Sequence, residues 1–173
     1  MNITFQEPSV EYKDELMKLC SEYQAKNVYL HGACGLTEHD NFESWLDKVQ
    51  RLAAGKDIRA SDVKTFTYLV LEDNSIVGFV NIRPLLNRKY LRRGGNIMFS
   101  VVKESQHNGY ATAILTKAIE ICKSWGMSKI RLTCHMDNLA ATRVITKCGG
   151  VLDSVEYCCE DGAEISKFWI TID

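Results

Sequence analysis

Apolar positions along this chain switch repeatedly between a spacing of two and a spacing of three to four residues, the marks of strand and helix. Asn2 to Phe5 alternate weakly as a first strand, and Glu11 to Lys26 then carry Leu16, Leu19, Cys20 and Tyr23 on one helical face. Phe42, Trp45, Leu46 and Val49 predict a second helix, capped by Asp40 or Asn41. Between the two helices, the segment from Asn27 to Asp40 (NVYLHGACGLTEHD) predicts a loop about fourteen residues long. Loops of that length inside a compact fold are uncommon and often functional.

Lys64 to Leu71 and Ile76 to Arg83 are rich in threonine, valine and aromatics, and predict an antiparallel pair joined by a turn at Glu72-Asp73-Asn74-Ser75. The polar stretch Gly55 to Asp62 before them is expected to be exposed. Pro84 ends the second strand, and Leu85 to Gly94 (LLNRKYLRRG) forms a basic connection. The apolar run Ile97, Met98, Phe99, Val101 and Val102 suits a strand buried on both faces, while Ala111, Ile114, Leu115, Ala118, Cys122 and Trp125 recur at helical spacing. Lys129 to His135 alternates as a further strand, so that strand, helix and strand make a parallel right-handed crossover. Asn138 to Cys148 reads as a short helix with Asp137 or Asn138 as its cap and Gly149 as its stop. Val151 to Cys159 and Glu164 to Ile172 close the chain as a hairpin around Glu160-Asp161-Gly162-Ala163.

The junction between Lys103 and Gly109, where strand gives way to helix through one glycine, is the first sign of chemistry. A helix start exposes about four unpaired N–H groups at the positive end of the helix dipole, worth roughly 0.3–1 kcal/mol to an anion placed there. Gly109 would let a phosphate approach the backbone closely. The junction lacks Gly-Lys-Ser/Thr and a full G-x-G-x-x-G after the first strand, which speaks against a nucleotide-binding loop.

Composition narrows the classes without choosing one. With 173 residues, 46% of them hydrophobic and 25% charged, and a formal net charge of −1, the chain is expected to form one domain over residues 1–173. No broad basic footprint suggests nucleic acid as a partner. The start MNITFQEPSVEYKDE lacks the pattern of a signal peptide, and no run approaches 18 apolar residues, so no membrane partner and a cytoplasmic location are expected. The seven cysteines are odd in number and include no C-x-x-C pair, so reduced thiols and no metal are expected. Cys158 and Cys159 point to opposite faces if they lie on a strand.

The element order, together with Gln-x-x-Gly-x-Ala at residues 106–111 and DNLAATRVITKCGG at residues 137–150, resembles the GNAT superfamily of acetyl-CoA-dependent N-acetyltransferases. The resemblance spans nearly the whole chain and is most specific over residues 95–150. It implies an α/β fold, with a central, mostly antiparallel mixed sheet, one parallel strand-helix-strand crossover and flanking helices. It implies that backbone groups of Phe99, Ser100 and Val101 pair with the pantetheine arm of acetyl-CoA. Gln106 would then start the pyrophosphate loop, and the N–H groups of His107, Asn108, Gly109, Tyr110, Ala111 and Thr112 would hold the pyrophosphate. Asn138 matches the family asparagine that contacts the cofactor arm. The sequence departs from the pattern where many members carry a tyrosine that protonates the leaving CoA sulfur, since Ile145 stands there. Gln106, His107 and Asn108 replace residues that are often basic, leaving more of the phosphate binding to the backbone.

The resemblance implies acetyl transfer to an amine by direct attack in a ternary complex, with a non-catalytic CoA-binding sensor as the alternative. An amine of pKa near 10.4 costs about 4.6 kcal/mol to deprotonate at pH 7, so a base, a water chain or desolvation is required. Glu104, just past the central strand, and His31, in the long loop, are the candidate bases, with His39 and His135 behind them. The acceptor, a small molecule or a protein or peptide amine, would lie between residues 27–40 and 85–94. The terminal strands offer edges for a homodimer.

Overall fold

The computed structural model of the chain describes residues 1–39 and 41–172. Among the described residues, seven strands fall into two antiparallel sheets. The first has the order β1-β2-β3-β4, from β1 (Thr4–Gln6), β2 (Phe66–Glu72), β3 (Ser75–Ile82) and β4 (Ile97–Val101). The second has the order β5-β7-β6, from β5 (Lys129–His135), β6 (Val151–Cys158) and β7 (Ala163–Thr171). The β2–β3 hairpin turns on Asp73 and Asn74, both left-handed (φ 49° and 64°), as a two-residue turn between right-twisted strands requires.

Helices cover both faces of the first sheet. On one face, α1 (Lys13–Ala25) and α2 (Phe42–Ala54) pack Leu16, Cys20, Trp45 and Val49 against Leu69, Leu71 and Phe79. Trp45 is fully buried and its indole N–H donates to the Ala33 carbonyl at 2.8 Å, which ties the long loop to this core. On the other face, α4 (Tyr110–Ser124) inserts Ile114, Leu115, Ala118 and Cys122 among Val80, Ile82, Ile130, Leu132 and Phe168, bridging the two sheets. Asn41 is the cap of α2, its Oδ1 accepting from the Ser44 N–H at 2.8 Å, a contact worth about 1 kcal/mol. Asp40, the other predicted cap, lies outside the described residues.

Several predicted boundaries shift. The first strand begins later, at Thr4, and the first helix is preceded by a 3-10 turn at Val10–Tyr12. The basic connection contains a short helix, α3 (Arg88–Arg92), because the Asn87 Oδ1 accepts from the Tyr90 N–H. The long loop is a series of turns ending in a 3-10 turn at Leu36–Glu38. The last helix, α5 (Leu139–Lys147), ends as predicted at Gly149 (φ 90°), with Gly149 N–H on the Thr146 carbonyl and Gly150 N–H on the Ile145 carbonyl. The terminal strand β7 is interior to its sheet; the edge strands are β1 and β4 of the first sheet and β5 and β6 of the second, with β4 and β5 turned toward one another.

The crossover from β4 through α4 to β5 is present, but its two strands part almost at once. Asn96 donates its N–H to the Arg131 carbonyl at 2.8 Å and accepts the Arg131 N–H on Oδ1 at 2.7 Å. Beyond that point the strands belong to separate sheets, each with its own twist. The parting of β4 from β5 makes the functional cleft.

Candidate active site

Gly95 sets the closed end of the cleft. It has φ +64°, and a Cβ on it would stand 2.2 Å from the Arg131 carbonyl, so only glycine lets the two sheets meet so closely. From there a cleft of about 1460 Å³ opens, lined by Ile97 to Val101 of β4 on one side and Leu132 to His135 of β5 on the other. One edge of β4 is occupied by β3, with Phe99 opposite Val80, Ser100 opposite Phe79 and Val101 opposite Gly78. Its other edge has lost β5 as a partner and faces the cleft with unpaired backbone groups.

At the far end of β4 the chain turns through Lys103–Ser105 into α4, whose N-cap is Gly109 (φ +85°). No side chain caps this helix, whereas Asn41, Asn87 and Asn138 cap α2, α3 and α5. The N–H groups of Tyr110, Ala111 and Thr112 precede the first helical bond, from Ala113 N–H to the Gly109 carbonyl. The left-handed conformations of His107 (φ 65°) and Gly109 curl successive N–H groups around one concavity, a geometry suited to phosphate oxygens. Gln106 fixes the loop to the strand by donating from Nε2 to the Val101 carbonyl at 3.3 Å.

At the other end the long loop is docked on β4. Gly32 (φ +78°) lies so close that a Cβ would stand 2.8 Å from the carbonyls of Met98 and Phe79. Ser100 Oγ donates to the His31 carbonyl at 2.5 Å. This docking holds the His31 ring at the cleft, edge-on to Tyr29 with centroids 4.8 Å apart. The ring is exposed to the open cleft, yet the surrounding walls desolvate it enough to lower its pKa, and Arg93 and His135 lower it further against the pull of Asp161. His31 is therefore a neutral imidazole at pH 7, able to accept a proton.

Asp161, at the tip of the β6–β7 hairpin, reaches the same place. Its side chain is only 9% exposed; Oδ1 accepts from Arg93 Nη2 at 2.5 Å, and Oδ2 lies 3.8 Å from His135 Nε2 without a hydrogen-bond partner. Deeper along this wall sits Arg83, just past β3. It is 5% exposed, stacks on Tyr90 at 4.3 Å and donates from Nη1 to the Gly95 carbonyl at 3.2 Å. Burial pushes its pKa down.

The family model for the acetyltransferase (GNAT) family matches residues 17–150. The chain belongs to the GNAT family. As a member it is an acyltransferase. It is 26% identical over 121 residues to an N-alpha-acetyltransferase 30 of Schizosaccharomyces pombe (strain 972 / ATCC 24843), covering 70% of this chain and 77% of that protein. Among solved structures it resembles Mycobacterium smegmatis RimJ in complex with CoA-disulfide (TM-score 0.74, 16% identity, 98% of this chain and 81% of that one). It also resembles the ribosomal L7/L12 alpha-N-protein acetyltransferase RimL in complex with coenzyme A (TM-score 0.73, 14% identity, 100% and 96%). At such identities the likeness to the solved structures is one of fold.

The residues expected of a GNAT site distribute unevenly in the cleft. Phe99, Ser100, Val101, Gln106, His107, Gly109, Tyr110, Ala111, Thr112 and Asn138 all line it, whereas Asn108 is exposed outside its lining. Tyr110 turns its hydroxyl to Glu72, and Asn138 spends its Oδ1 on the Ala141 N–H at 3.0 Å, so it is a helix cap as well as a cleft residue. His31 is at the cleft, but Glu104 is exposed on the 3-10 turn and outside the lining, between Lys103, whose N–H meets Tyr23 Oη of α1, and Ser105, which lines the cleft. Ile145 is 2% exposed in the core, so that position holds no proton donor. Burial raises the pKa of Cys134, and of Cys34, keeping these two of the cleft's thiols protonated and poor as nucleophiles. No cluster of His, Cys, Asp or Glu among the described residues is arranged to hold a metal. Asp161 and Arg83 escaped the sequence reading: one stands in a plain hairpin turn, the other at a strand end, and no local pattern announces that folding brings both to the cleft.

Proposed function

We propose that residues 1–173 form an N-acetyltransferase domain that transfers an acetyl group from acetyl-CoA to a primary amine by direct attack in a ternary complex. One observation carries the reading: the unpaired edge of β4 and the uncapped start of α4 face a single cleft, with a neutral histidine at its opposite end. Backbone groups of Phe99, Ser100 and Val101 would hold the pantetheine arm as an added strand. The N–H groups around Gly109 would hold the pyrophosphate, with Asn138 beside the arm. Acetyl-CoA supplies an activated acyl group, and backbone N–H donors of β4 would stabilise the oxyanion that forms when the amine attacks its carbonyl carbon. Asp161, whose buried Oδ2 has no hydrogen-bond partner, would hold the ammonium form of the acceptor; His31 would take one proton from that ammonium to free the amine for attack, and the second proton, lost once the C–N bond has formed, would pass to water. As the C–S bond breaks, the leaving thiolate takes a proton from water in place of the tyrosine that Ile145 replaces. With a thiol pKa near 8.5, leaving as the thiolate instead of the thiol costs only about 2 kcal/mol at pH 7, which the later protonation returns.

Isothermal titration with acetyl-CoA tests the binding half, with saturable binding at submillimolar concentration expected; no binding at millimolar acetyl-CoA would sink the reading. Thiol release with a panel of primary amines tests the chemistry. Ile145 favours one rival, a CoA-binding module without turnover, and that rival predicts tight acetyl-CoA binding with no thiol release from any amine.

A further inference from the structure

Three cationic side chains are buried among the described residues, and two of them have a carboxylate. Arg131 pairs with Asp153 at 2.6 Å and Lys167 pairs with Glu156. Arg83 has no carboxylate within ion-pair distance among the described residues. Its Nε is also buried without a hydrogen-bond partner. An unbonded Nε alone does not mark a site, since Arg131 has one too; the missing counter-charge separates the two. A buried charge is tolerated only when paired or strongly hydrogen-bonded, and the Tyr90 face and one carbonyl leave Arg83 short of that.

Arg83 lines the same cleft as His31 and Asp161. It lies on the loop side of β4, next to Asn96, whose carbonyl accepts the Arg83 N–H at 2.7 Å, and so away from the α4 N-terminus. Tyr29 links the two groups, packing on His31 and lying within electrostatic reach of both Arg83 and Arg93. We propose that Arg83 is an anion-recognition residue of the acceptor pocket, and that the acceptor is an amine carrying a carboxylate or phosphate, with its ammonium on Asp161 and its anion on Arg83. This assignment rests on the amine-acetyltransferase reading above, and its physical basis is general: a guanidinium fork matches the two oxygens of either anion, and charge-assisted bonds of this kind are the strong ones.

The test compares amines of matched length by acetyl-CoA-dependent thiol release: γ-aminobutyrate against n-butylamine, β-alanine against n-propylamine, and O-phosphoethanolamine against ethanolamine. At least one anionic amine should exceed its neutral twin in kcat/KM by about tenfold, the size of one charge-assisted contact. Arg83→Met should collapse that ratio toward one, and Arg83→Lys should keep part of it. Equal or better use of every neutral twin by the wild-type protein would overturn the proposal, as would a preference that survives Arg83→Met. A second measurement needs no turnover: thermal melts without acetyl-CoA, in glutarate, in glycerol 2-phosphate, and in chloride of equal ionic strength. Glutarate or glycerol phosphate should raise the wild-type melting temperature above the chloride control and fail to do so in Arg83→Met; the anion that acts distinguishes the carboxylate from the phosphate source. No shift with either anion would overturn the anion site even where acetyl-CoA binds. A shift without acetyl-CoA binding would instead sink the acetyltransferase reading and leave the anion site standing.

Discussion

The two ends of the cleft are built from different material. At the α4 end the binding groups are backbone: the open edge of β4, the left-handed Gly109, and N–H groups with no side chain capping them. At the loop end they are side chains, from five separated segments: His31 from the long loop, Arg83 from the end of β3, Arg93 from the end of α3, His135 from β5 and Asp161 from the β6–β7 tip. A backbone site recognises what every use of it shares and depends on local sequence alone. A side-chain site can change one residue at a time without disturbing the strand or helix beneath it. The first is suited to an invariant donor, the second to a particular acceptor, and substitutions at each end should separate binding from chemistry.

The largest separation is expected at His31. Replacing it by Gln should lower kcat by about a hundredfold or more, the lower end of what a positioned base contributes, with acetyl-CoA affinity unchanged by titration calorimetry. The pH profile fixes the sign. The pKa of His31 lies below the ordinary value near 6.5, so the wild-type kcat should fall as the pH drops below 6.5, when the imidazole protonates and can no longer accept. His31→Gln should lose that acid limb. An acid limb that persists in the variant would assign the base elsewhere.

The next effect falls on the frame that both ends share. Gly95→Ala drives a Cβ to 2.2 Å from the Arg131 carbonyl at a left-handed φ, so the closed end of the cleft must yield. A loss of about 2–4 kcal/mol in urea denaturation is expected, in the range of severe backbone strain and steric conflict. A loss under about 0.5 kcal/mol would mean that the sheets slide apart easily and that Gly95 does not set the cleft.

The same contrast explains what the sequence disclosed. The strand-to-helix junction was legible because each of its requirements is local: the apolar run of β4, Gly109, and the helical spacing from Ala111 to Cys122 lie within one stretch of chain. The Asn138 cap and the Gly149 stop were legible for the same reason. The early separation of β4 and β5 was not, because it depends on Asn96 meeting Arg131 across 35 residues. Nor was the pairing of Arg93 with Asp161, which requires a loop and a hairpin tip to converge from different sheets. Charge in LLNRKYLRRG was visible; which cations would find partners was not. Lys89 finds Asp62, Arg93 finds Asp161, and the buried Arg83 ahead of them finds no carboxylate among the described residues.

At the α4 end the expected effect is smaller and has two signs. Thr112 lies in the first turn of α4, where Thr112→Asp would place a carboxylate beside the free N–H groups. It should stabilise the helix by roughly 0.3–1 kcal/mol in thermal or urea melts. It should also compete with the pyrophosphate, weakening acetyl-CoA binding about tenfold in calorimetry, a change of about 1.4 kcal/mol. A fold made more stable and a donor bound less tightly, from one substitution, is the pattern expected if the uncapped start of α4 is reserved for an anion. Stabilisation with unchanged acetyl-CoA affinity would move the phosphate site away from this helix.

Glu104 supplies the smallest expected effect and the sharpest control. By sequence it is as good a candidate base as His31, since it follows the central strand directly and carries a carboxylate where the cleft was expected to open. In the fold its 3-10 turn carries it out of the lining, with the Lys103 N–H bound to Tyr23 Oη at 3.0 Å and the side chain in solvent. A solvated carboxylate outside the cleft cannot reach the attacking nitrogen within hydrogen-bond distance, which a general base must do directly or through one water. Glu104→Gln should therefore leave kcat and the acid limb of the pH profile within about twofold of wild type, the scale of an exposed substitution worth under about 0.5 kcal/mol. A hundredfold loss of kcat in Glu104→Gln, with His31→Gln near wild type, would reverse the assignment of the base and require the turn at Lys103–Ser105 to swing its carboxylate into the cleft when acetyl-CoA binds.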